Sequence, residues 1–250
     1  MKELSRRELI IRAGSLATGA AVAAAGLSIV TDAEAKAKIK KAQYPWPYVK
    51  LDPKEVAERA YENWYKGYCC YAVASGILEP LREKVGEPYT LLPLEAFRFG
   101  HGGVIGWGTM CGTLIGAGLA TSFTAGTEGE EILNDVIQWY SVTEFPIFKP
   151  KKPKAHPKSV TVSNSPLCHV SVGTWMKKEG APLADPRRKD RCARIAADVA
   201  AKTASLLNDW DVGSFEASHG SQSKMFGITA QSNCTDCHGN KVPSPPQAKK

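Results

Sequence analysis

Apolar residues along the central part of the chain recur with the spacing of helices. Val56, Ala57, Ala60, Tyr61 and Trp64 fall on one helical face. Ahead of them stands Asp52-Pro53-Lys54-Glu55, a helix start: Asp52 can cap, proline suits the first helical position, and Glu55 can close a capping box. The pattern resumes through Cys70–Leu81 and ends before Gly86. Residues 102–126 are uncharged and hold eight glycines, so they predict a tight loop leading into a buried helix rather than a membrane span. Gly108, Gly112 and Gly116 recur every four residues, leaving one helical face open to close approach by a backbone or a cofactor. Thr127-Glu128-Gly129-Glu130 reads as a second capping box, followed by a face of Ile132, Leu133, Val136 and Tyr140. Asp185-Pro186 opens a last strong helix, on which Cys192, Ile195, Ala196, Val199, Leu206 and Trp210 share a face. No alternating strand pattern or internal repeat is evident. The expected fold is all-α: a helical cysteine-rich domain followed by a short, irregular C-terminal segment.

The flanks carry different signals. Ser5-Arg6-Arg7-Glu8-Leu9-Ile10 resembles a bacterial twin-arginine signal, with Leu9 where phenylalanine is commonest. An Ala/Gly-rich apolar run over 13–30 and a small-residue cleavage site at Ala33-Glu34-Ala35 follow; an uncleaved anchor is the alternative. The expected organisation is a signal peptide over 1–35, an extended lead-in over 36–52, the helical domain over 53–212 with a Pro/Lys linker near 146–158, and an attachment segment and tail over 213–250. The signal places the protein in the periplasm, with no stable membrane span after cleavage. The net charge of +7 falls on the mature part, since the charges of residues 1–35 cancel. Its basic clusters, 36–41, 149–158 and 177–191, read as solvated surface able to attract an acidic redox partner. Export argues against nucleic acid as a partner.

Cys234-Thr235-Asp236-Cys237-His238 is C-x-x-C-H, the attachment sequence of haem c. Two thiols three positions apart reach the two vinyl groups on one haem edge, and His238 then lies under the iron as proximal ligand. The distal candidates are His169, which follows Cys168 directly, and His219, nearest in sequence to the attachment site; His101 and His156 are weaker, and Met225 is the methionine alternative. Two histidines would close the iron for electron transfer between redox donor and acceptor proteins. An open position would suit a small-molecule reductase or a sensor. No paired carboxylates or triad mark a catalytic site.

Cys69, Cys70, Cys111, Cys168 and Cys192 remain. They read either as two disulfides with a free thiol, or as four thiolates around an iron–sulfur cluster with one spare. Gly67-Tyr68-Cys69-Cys70-Tyr71-Ala72-Val73, Gly102-Gly103-Val104-Ile105, Met110-Cys111-Gly112-Thr113-Leu114-Ile115-Gly116, Cys168 and Cys192 resemble the C_GCAxxG_C_C redox proteins. The resemblance covers about residues 55–240. It implies a helical homodimer carrying c haems with paired histidine ligands and an iron–sulfur cluster, 2Fe–2S favoured. On it, Cys70, Cys111, Cys168 and Cys192 fall on the family cysteines, with Cys69 as substitute for Cys70. Met110 departs from the family glycine. Haem-bearing members of this kind carry two haems per chain, and only one complete C-x-x-C-H is present here. Ser165-Pro166-Leu167-Cys168-His169 is that motif with its first cysteine replaced, and ranks below Cys168 as a cluster ligand with His169 axial to a haem.

Overall fold

The computed structural model describes residues 43–218. It is all-α, as the periodicity predicts. Five α-helices occur among the described residues: α1 Pro53–Val85, α2 Gly112–Ala125, α3 Gly129–Val142, α4 Cys168–Glu179 and α5 Pro186–Asp211. Extended pairing among these residues is limited to two isolated antiparallel bridges, Met110 with Leu167 and Phe145 with Thr161.

α1 is two helices in one. Asp52 accepts the Lys54 N–H and Pro53 opens the first turn, as expected. At Tyr68 the backbone leaves the helical region (φ 64, ψ −160) and the chain folds back on itself. Residues far apart in sequence therefore meet: Arg59 pairs with Glu83, Asn63 donates to Ser75 and Glu79, and a Cβ added at Gly76 would lie 2.8 Å from that of Ala60. This reversal puts Cys69 and Cys70 at the apex of a helical hairpin.

α5 packs against α1, and α2 contacts both. The interface is rich in small residues. Ala60, Ala72, Val73, Ala74 and Ile77 are fully buried, as are Ala193, Ala196, Ala197, Val199, Ala200 and Ala204. Two glycines of α2 are required by close approach. A Cβ at Gly112 would stand 1.8 Å from the Gly100 carbonyl oxygen, and one at Gly116 would stand 2.5 Å from that of Cys70. The closest atoms to this face are backbone. Gly108 does not belong to the face; it precedes the helix, with φ +73.

Three other expectations are corrected. The capping box at Thr127 does not form, because a short 3-10 turn over Gly126–Glu128 runs directly into α3 and Glu128, already helical in φ and ψ, makes no side-chain cap. α4 had no predicted counterpart. Arg191, read as part of a solvated basic cluster, is only 2% exposed. The Pro/Lys stretch after Pro146 lies against α5: Asp198 accepts the N–H groups of Ile147 and Phe148, and Asp190 accepts those of Lys154 and Ala155.

Candidate metal centre

All five described cysteines carry free thiols and are buried. Four of them are brought together from four separate places: Cys69 at the α1 reversal, Cys111 capping α2, Cys168 in the first turn of α4, and Cys192 near the start of α5. Backbone bonds fix two of them side by side. Around the Met110–Leu167 bridge, Cys111 N–H donates to the Pro166 carbonyl at 2.8 Å and Cys168 N–H to that of Thr109 at 2.7 Å. Glycines then admit the neighbours. A Cβ at Gly112 would lie 2.8 Å from Cβ of Cys69, and one at Gly103 2.9 Å from Cβ of Cys168.

The electrostatics report the same grouping. Burial pushes the Cys69 thiol well above its ordinary range, and the sulfurs of Cys192, Cys111 and Cys168 raise it further. Cys168 is pushed up to about 12 by burial and then by Cys111 and Cys192, with Arg191 and Arg188 opposing. Cys70 is also pushed up to about 12, but by burial alone. Its sulfur turns toward the 3-10 turn Leu94–Gly100, where a Cβ at Gly100 would stand 3.0 Å from Sγ. The family resemblance points to Cys70 as ligand with Cys69 as substitute. The structure groups Cys69 with the other three, because adjacent helical residues point about 100° apart.

Polar groups ring the thiols. Trp64 Nε1–H donates to Cys69 Sγ at 3.4 Å, Cys111 Sγ and Thr113 Oγ1 stand 3.1 Å apart, and Arg191 Nη1 lies 3.9 Å from Cys192 Sγ. The Tyr140 hydroxyl donates to Ser171 Oγ at 2.9 Å; burial and the neighbouring Cys111 push its pKa well up. α2 and α4 both present their N-termini here, where the helix dipole favours negative charge.

The donor chemistry of these residues suits an iron centre. Four buried thiols cannot ionise together without a compensating cation, and an iron cluster is one. The Arg191 Nε is buried without a hydrogen-bond partner, a positive group suited to an anionic neighbour. Among the described residues, no three His, Cys, Asp or Glu side chains converge as ligands of a single metal ion do.

His169 is exposed on the first turn of α4, with Nδ1 2.7 Å from the Gly108 carbonyl oxygen. His101 lies in the glycine-rich turn, its ring 5.5 Å from that of Tyr68. His219, Cys234, Cys237 and His238 lie outside the described residues, as does the twin-arginine segment. The sequence does not single out Trp64, Thr113, Tyr140 or Arg191 as neighbours of the thiols. One signal was available for Arg191: it stands four residues before Ile195, on the inward stripe of α5.

Such a helical fold, with buried thiols gathered in its core, defines a class of redox-active proteins. Residues 67–206 match the family described as "Putative redox-active protein (C_GCAxxG_C_C)", and the chain belongs to that family. The chain is 34% identical over 253 residues to the split-Soret cytochrome c of Desulfovibrio desulfuricans, covering 95% of this chain and 88% of that protein. A solved structure of that cytochrome, described for its novel iron centre, matches with a TM-score of 0.67 and 33% identity over 81% of this chain and 86% of its own.

Proposed function

We propose that the protein is a periplasmic electron-transfer cytochrome c holding a covalent haem and an iron–sulfur cluster. One observation carries the reading: four buried thiols, Cys69, Cys111, Cys168 and Cys192, share one site in a chain that also bears a C-x-x-C-H motif. When bound, the haem and the cluster supply one-electron redox centres. The remaining work belongs to the chain. Cys234 and Cys237 hold the haem edge and His238 its iron. The four core thiols hold the cluster, with Cys69 rather than Cys70 as the first ligand. The surrounding helices exclude water, and Trp64 donates to a ligand sulfur.

His169 and His219 are the two candidates for the one distal position on the haem iron. His169 has the attributes of a ligand: its Nδ1 is anchored on Gly108, which fixes the ring and leaves Nε2 free. Phe99, Ile105 and Trp107 are exposed on the neighbouring segment, an apolar surface suited to a second copy in a homodimer. The partners are redox proteins that give and accept single electrons.

The test is total iron per covalently bound haem in anaerobically purified protein, with haem per chain counted on the same sample. With one haem per chain, a ratio of about 3 indicates 2Fe–2S and about 5 indicates 4Fe–4S. A ratio of about 1 removes the cluster.

A further inference from the structure

α5 buries a positive charge that the fold does not neutralise. The Arg191 guanidinium is 2% exposed. Nη2 donates to the carbonyl oxygen and to Oγ of Ser171, at 3.1 and 2.8 Å, and Nη1 reaches Cys192 Sγ at 3.9 Å. Nε donates to nothing. Among the described residues no carboxylate forms an ion pair with it. Asp190, the preceding residue, is bonded to Arg194 on another face. Asp198 feels the Arg191 charge, but its two oxygens are bonded to the N–H groups of Ile147 and Phe148. The other charged group acting on the site is Arg188, also positive. A buried cation without an anion is strongly unfavourable, so a fold that keeps one is complete only when negative charge arrives beside it.

We propose that Arg191 is the charge-compensating residue of the four-cysteine centre, lodged between Cys192 and Ser171 so that it favours the metal-loaded, and above all the reduced, state. The inference rests on the cluster reading above. Iron bound by four thiolates is anionic, and one further electron adds one further negative charge. A fixed guanidinium in a water-excluded site favours that electron without a proton having to move. Ser171 is the positioning residue: its hydroxyl and carbonyl oxygens hold Nη2, and Tyr140 donates to the same hydroxyl. Arg191 thus acts on the potential and on iron retention, not on haem attachment.

The experiment is an anaerobic redox titration of the full-length, haem-loaded protein and its Arg191→Met and Arg191→Lys variants, with the haem potential as internal reference. Arg191→Met is expected to move the non-haem centre to a more negative potential relative to the haem and to weaken iron retention against a chelator by about 100-fold. Arg191→Lys keeps the charge and is expected to restore most of both. An Arg191→Met protein with its iron and an unchanged potential overturns the proposal. If Arg191→Met retains no iron, thermal unfolding of the chelated, haem-loaded proteins decides. Without an anionic centre the guanidinium is uncompensated, so Arg191→Met is then expected to be at least as stable as the chelated native protein. A less stable variant means that Arg191 serves the fold alone and overturns the proposal. A native protein without non-haem iron overturns instead the cluster reading on which it rests.

Discussion

Asp190 and Arg191 are consecutive residues of α5, both buried, and their surroundings are opposite in kind. Asp190 is saturated. It accepts bonds from the Tyr61 and Tyr65 hydroxyls, from the N–H groups of Lys154 and Ala155, and from Arg194. Arg194 in turn donates to the carbonyl oxygens of Phe148 and Ala155, so this face of α5 binds the Pro/Lys stretch to the helices. Arg191, one residue on, has an unpartnered Nε and a thiol as neighbour. A buried charge that serves the fold is surrounded by as many partners as it can use, since each missing one costs stability. A buried charge left incomplete beside four thiols points to a group that completes it.

The comparison breaks most visibly on the thiols. Cys69→Ser is expected to lose the non-haem iron, while Cys70→Ser keeps it and is destabilised by about 1–3 kcal/mol for burying a hydroxyl without a designed partner. Iron per haem and urea midpoints on the two variants check this. Iron lost from Cys70→Ser and kept by Cys69→Ser would restore the assignment that the sequence suggested.

On the saturated side the expected effect falls on stability and leaves the iron untouched. Asp190→Asn leaves Arg194 without its counter-charge in a site from which water is largely excluded, and is expected to cost about 3–5 kcal/mol of stability. Iron per haem in the protein that still folds should not change. A fall in iron content with unchanged urea midpoint would move Asp190 from the fold to the site.

The same two residues show what a sequence can and cannot convey. The start of α5 was legible because Asp185-Pro186 is a local signal, and Asp185 does accept the Arg187 N–H at 2.7 Å. The inward face through Cys192, Ile195 and Val199 was legible from its period. The fate of Arg191 was not, because charge patterning assigns a basic residue to solvent and only the tertiary arrangement of α4 and α5 decides otherwise. The choice between Cys69 and Cys70 was not legible for a related reason. Adjacent cysteines at a chain reversal are equivalent in composition, and the φ of 64° at Tyr68 that orients them has no local signature. α4 was invisible because its polar, glycine-containing sequence has a weak helical period, although Gly180, in the left-handed region at its C-cap, marked its end.

Asp198 supplies the subtlest test, since it lies on α5 between these two regimes. Each of its oxygens accepts one backbone N–H, from Ile147 at 3.0 Å and Phe148 at 2.8 Å. Those bonds, with Arg194 and Arg191, lower its pKa, yet burial outweighs them and raises it from 3.8 to about 7. The unfolded chain therefore releases this proton at lower pH than the folded one. The stability contributed by neutral Asp198 is complete below about pH 3.8 and is lost as pH rises through about 7, at up to ~1.4 kcal/mol per pH unit. Glu179 and Asp185 work in the opposite sense, their pKa values being lowered by hydrogen bonds and by Arg187, so the native protein's total slope mixes the two. The difference between native protein and Asp198→Asn isolates the term. Asp198→Asn is expected to gain stability relative to the native protein as pH rises from 4 to 7, starting about 1 kcal/mol lower because an amide cannot accept on both sides. Urea denaturation of both proteins across that range checks it. A constant gap between the two curves would mean that Asp198 is ionised throughout, as a carboxylate fully served by its donors would be, and would place it with Asp190 rather than between the two regimes.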